Sequence, residues 1–168
     1  MQRKIFTPEE LQIVERATSV SEELVSDHFK ISESQWLRNR FDIRTSATTP
    51  DHPSPEPPHI AFAEVRRYEA VPSPPGSRRE FDLYLICLRD HTIIGEVTQN
   101  PDLTLYPFLL YILVHELVHI LRFGTFRQRF TLEASQRKGE EEVVHELTRR
   151  ILSDSRIEGV EKIISQTP

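Results

Sequence analysis

From Leu109 to Leu121 the chain runs through apolar and aromatic residues with three interruptions by histidine or acid, His115, Glu116 and His119. Leucine, isoleucine and valine surround these three on every side, the pattern of a helix buried all round rather than laid on a surface. Successive helical residues advance by about 100°, so His115 and His119 stand about 40° apart, one turn above the other. Two imidazoles and a carboxylate buried without partners are costly. Sharing a cation removes that cost, because two imidazoles so placed reach one Zn²⁺ at roughly 2.0–2.1 Å. Glu116, beside the first of them, is placed to take a proton from metal-activated water. The bland alternative is a set of satisfied core polar groups, and the density of apolar neighbours favours the metal.

A chain of 168 residues suits a single domain, 1–168, with a real core. The net charge of −5 and the lack of a Lys/Arg stripe argue against binding nucleic acid through its phosphates. Cys87 is the only cysteine and has no partner in the chain for a disulfide, which suits a reducing compartment. The first ten residues lack the apolar core of a signal peptide. The apolar run around His115 is about 15 residues and too short to span a bilayer. The expectation is a cytoplasmic protein with no membrane partner.

Thr7-Pro8-Glu9-Glu10 has the form of a capping box with proline at the first helical position. Ser19–Glu22 and Ser32–Gln35 repeat that logic, so two or three short helices are predicted over 8–44. Five prolines within 45–59 mark a loop. His52 and His59 lie there, a poor place for a preorganised site. Ile60–Tyr68 and Phe81–Leu88 read as strands, and Arg89-Asp90 as a tight turn into a further strand, His91–Thr98. The result is a small, mostly antiparallel sheet. Pro107 opens the motif helix, which runs to Phe123 with Gly124 as its cap. Thr125–Phe130 is an aromatic and basic connection that either lines a cleft or caps the core with arginine stems. A last long helix starts near Gly139, with Glu140, Glu141 and Glu142 at its positive end, and a short one follows around Ile157, Val160 and Ile163.

Catalytic zinc sites usually have three protein ligands and an open fourth position. The third ligand is expected from the helix after Gly139. With Val143 as zero its apolar centre falls at about 80°, Glu140 at about 60°, Glu141 at about 160°, His145 at about 200° and Glu142 at about 260°. Glu141 and His145 form an i, i+4 pair at the edge of the stripe. One is expected as a ligand and the other as a second ligand or its supporting partner. Glu140 stays open as a further candidate.

His115-Glu116-Leu117-Val118-His119, with an acidic helix some twenty residues on, resembles the zincin metallopeptidases in their gluzincin form, over residues 105–152. The resemblance implies an α+β zincin-like fold, in which a sheet precedes the motif helix. It implies one Zn²⁺ per chain on His115, His119 and an acid of the later helix, here Glu141, with Glu116 as general base acting on a peptide or protein substrate. Thr125 stands where the metzincin pattern has a third histidine, so that branch is excluded. The oxyanion-stabilising residue is not identified; Tyr106, Tyr111 and the arginines are candidates. Two other readings compete. Glu116-x-x-His119 and Glu142-x-x-His145 match the paired motif of di-iron bundles, which need two further helices with glutamates. A zincin-like scaffold can also keep its zinc for stability or partner binding without catalysis.

Overall fold

The computed structural model describes residues 3–48, 62–69, 82–125 and 134–166. The elements are α1 (Pro8–Phe29), α2 (Glu33–Arg38), β1 (Asn39–Arg44), β2 (Ala63–Glu69), β3 (Asp82–Leu88), α3 (Asp90–Gln99), α4 (Leu105–Thr125), α5 (Ala134–Ser155) and α6 (Val160–Gln166). The protein is therefore α+β, mostly helical with one small sheet.

α4 is the centre of the core. Leu109, Leu110, Leu113, Val114, Leu117, Val118, Ile120 and Leu121 are all buried, so the helix is covered on nearly every face. Its partners are α1, α5 and α6 among the helices, and the sheet through β1 and β2. Phe62 meets Phe108 edge-on at 5.0 Å between ring centres. The helix is longer than the apolar run suggested. Leu105–Phe123 is long and apolar enough to cross a membrane, yet 67% of it is buried inside the protein's own fold. Pro107 is its third residue rather than its first, which costs nothing because the first four helical N–H groups have no intrahelical acceptor.

α1 is one 22-residue helix where short helices were predicted. The Thr7–Glu10 capping box forms, but no break occurs at Ser19–Glu22. Thr18 and Ser19 return their hydroxyls to the carbonyls of Val14 and Glu15, so these residues are satisfied inside the helix. Val14, Ala17, Ser21 and Val25 form its buried stripe. The second capping box, Ser32 with Gln35, starts only the six-residue α2 before the chain extends into β1.

The sheet is mixed, with order β1-β3-β2. β1 runs parallel to β3, pairing Asn39 with Asp82 through Arg44 with Cys87. β2 runs antiparallel to β3, pairing Ala63 with Leu88 through Glu69 with Asp82. The predicted strand at 91–98 is instead helix α3. Both edges of β3 are already filled, so no edge remains for a hairpin partner. Asp90 at the start of α3 is fully buried, and its carboxylate accepts the N–H groups of Phe6, Ser46 and Ala47 at 2.9–3.1 Å. The proline-rich stretch beyond residue 48 and the 126–133 part of the aromatic-basic connection lie outside the described residues.

Candidate metal centre

α4 has one polar stripe, and its spacing follows from the helix repeat. Tyr111, His115, His119 and Arg122 are separated by four, four and three residues, so all share a face. α5 runs antiparallel against that face. His145 meets Tyr111, Glu141 meets His115 and His119, and Glu140 meets Arg122. α5 begins at Ala134, five residues before the predicted start, so the three acids lie within the helix rather than in its first turn. Glu140 and Glu141 are placed by these cross-helix partners rather than by the helix dipole.

The partners separate the acids. Glu140 is 8% exposed and its carboxylate accepts both Nε and Nη2 of Arg122, the latter at 3.0 Å. A fork of this kind occupies both oxygens. Glu141 is left to the histidines: its Oε1 lies 2.8 Å from His119 Nε2 and its Oε2 lies 3.3 Å from His115 Nε2. The two Nε2 atoms are 3.2 Å apart. His145 Nε2 stands 3.8 Å from Glu141 Oε2. Glu142 is exposed, which removes a residue that the di-iron reading requires.

These distances suit a bound cation. Two donors about 2.0 Å from one ion on tetrahedral directions stand ~3.3 Å apart, close to the separations within the His115–His119–Glu141 trio. Two imidazole lone pairs facing each other at such range repel unless a proton or a metal ion lies between them. The donor set, imidazole nitrogen with carboxylate oxygen, is one that zinc accepts. Donor atoms of His115, Glu141 and His145 also lie within 4.8 Å of one another.

Electrostatics add to the picture. Burial works against the Glu141 carboxylate, but hydrogen bonds from His115 and His119 and the charge on those rings outweigh it, holding its pKa well below the usual carboxylate range. Burial alone would keep His119 neutral; its hydrogen bond to Glu141 and the charges of Glu116, Glu141 and Glu140 reverse this and raise its pKa. Burial pushes the Glu116 carboxyl up, Glu141 adding to the push while His115 and His119 oppose it. A carboxyl so raised is better able to take and return a proton near neutrality. Burial and the neighbouring His115 lower the pKa of His145, favouring the neutral ring.

The structure thus brings His115, His119, Glu141 and His145 to one place, with Glu116 next to His115 on the same helix. Arg122 stood in the sequence only among the arginines that are oxyanion candidates, with nothing to link it to Glu140. The signal that could have found it was its distance from His119, three residues on the same face, and a glutamate that fell within the apolar stripe of α5. Two surface grooves, one at Trp36, Leu37, Phe41 and Leu83 and one at Tyr106, Pro107 and Ile157, contain none of His115, Glu116, His119, Glu141 and His145. No protein-family model, no curated protein and no solved structure matches this chain.

Proposed function

We propose that the protein is a zinc-dependent metallopeptidase of zincin-like architecture, with His115, His119 and Glu141 as metal ligands and Glu116 as general base. The observation that carries this reading is the convergence of the two Nε2 atoms and the Glu141 carboxylate, with 2.8–3.3 Å between them. The order of elements supports it, with the sheet ahead of the motif helix and the helix of the third ligand after it.

Zinc, when bound, supplies Lewis acidity towards water and a peptide carbonyl. The remaining tasks fall to the chain. His115 and His119, fixed on the buried α4, and Glu141, reaching across from α5, set the position of the ion. Arg122 holds Glu140 aside so that Glu141 is the acid presented. Glu116 accepts the proton released as water attacks the carbonyl carbon, then passes it to the amine nitrogen as the C–N bond breaks.

Glu116→Gln tests this assignment. The amide cannot accept the proton but keeps the size of the side chain, so the variant is expected to hold as much zinc as wild type while peptide hydrolysis falls at least about 100-fold. Hydrolysis at the wild-type rate in a pure preparation of the variant would remove Glu116 from that role. A second reading, a zinc protein without catalysis, draws on His145, whose approach offers the ion a fourth protein donor. In that case wild type binds zinc and hydrolyses nothing.

A further inference from the structure

Of the three histidines at the centre, His145 is distinguished by its outer nitrogen. Tyr111 Oη lies 2.8 Å from His145 Nδ1. The Nδ1 atoms of His115 and His119 are buried without a hydrogen-bond partner among the described residues. Tyr111 is itself buried on α4, one turn before His115, and its ring lies nearly parallel to that of His145 at 24°. A ligating imidazole usually gives its second N–H to a protein acceptor, which fixes both the tautomer and the ring orientation. A ligand role for His145 requires the tautomer in which the phenol oxygen accepts from Nδ1–H, which leaves the Nε2 lone pair free on the side of Glu141 and His115. The His145 and His115 ring centres are 4.7 Å apart.

His145 is also the histidine with most room to move. Its side chain is 33% exposed, against 12% for His115 and 10% for His119. Its 3.8 Å separation from Glu141 is wider than those within the inner trio. Four protein donors make a closed centre, whereas a catalytic centre needs a position open to water.

Resting on the zinc-site reading above, we propose that His145 is a displaceable fourth ligand, held in place by Tyr111, that closes the resting centre against water and substrate. Tyr111 is then a positioning residue that acts through His145, and the centre opens when His145 swings towards solvent.

Cobalt(II) loaded into the full chain reports donor number through its visible absorption, and azide probes for an open position. Wild type is expected to show the spectrum of four protein donors and to resist azide. His145→Ala should still take up one cobalt per chain and bind azide about tenfold more tightly or better. His145→Phe, which keeps a ring in the space, should behave the same way and guards against loss of packing. Tyr111→Phe should shift the cobalt spectrum and fall between wild type and His145→Ala in azide affinity. Azide binding to wild type as readily as to both His145 variants would overturn the proposal, as would a Tyr111→Phe protein identical to wild type. Wild type that takes up no cobalt contradicts the metal reading itself, a failure distinct from the other two.

Discussion

Glu140 and Glu141 are neighbours in sequence, and their partners give them different tasks. The Arg122 fork holds one carboxylate in a buried ion pair, and the histidines of α4 take the other. Removing one member of such a pair leaves the other charge buried and unmatched. Arg122→Ala is therefore expected to destabilise the fold by about 3–5 kcal/mol, measured by chemical denaturation. Replacing both partners together, as Arg122→Met with Glu140→Leu, should cost much less because no buried charge is left behind. Equal losses in the single and double variants would contradict a paired, desolvated Glu140. The grouping of the candidate residues was largely legible at this scale. Helical spacing alone put Glu141 and His145 on a common edge of α5. What spacing could not supply was the cross-helix register that assigns Glu140 to Arg122, since that depends on how two helices pack.

Among the elements, α3 and β1 show how neighbours override local pattern. His91–Thr98 is rich in β-branched residues and reads as a strand. Ile93, Ile94 and Val97 nevertheless share a helical face and pack against the core. β3 has strands on both sides, so a further strand had nowhere to pair. Gly95 tests the helix directly. A Cβ added there meets nothing within 4 Å. Gly95→Ala is therefore expected to stabilise the protein by about 0.5–1 kcal/mol, the usual gain at an unhindered helix position. A loss of stability on thermal unfolding would argue against the helix. β1 was missed for the opposite reason. A sound capping box at Ser32 suggested that the helix continued, although Phe41 and Ile43 are two residues apart, the period of a strand. Burial along β1 does alternate, with Phe41 and Ile43 half-covered between exposed neighbours.

Taken as a whole, the molecule is assembled around α4, and the sequence showed that helix most plainly because almost every face of it is apolar. Contacts between distant parts of the chain were not legible. The chief example is Asp90, which ties residue 6, residues 46–47 and the start of α3 together through three backbone N–H groups. Nothing in its local sequence marks it as buried. Asp90→Ala strands those donors and is expected to cost about 3 kcal/mol or more, with Asp90→Asn costing less because one amide oxygen still accepts. A surface-like effect below ~0.5 kcal/mol in denaturant melts would contradict that anchoring role. The same joining of distant segments builds the proposed metal centre, since His115 and His119 of α4 meet Glu141 of α5 only in the folded chain. Metal binding should therefore stabilise the folded state, and a chelator should lower the melting temperature. The most direct measurement is elemental analysis of wild type, His115→Ala, Glu141→Ala and His145→Ala purified without added metal. The predicted result is about one zinc per wild-type chain, lost in His115→Ala and Glu141→Ala and retained in His145→Ala. A wild-type protein free of metal, folded and equally stable in chelator, would contradict the account and leave the histidines and Glu141 as a hydrogen-bonded polar cluster between α4 and α5.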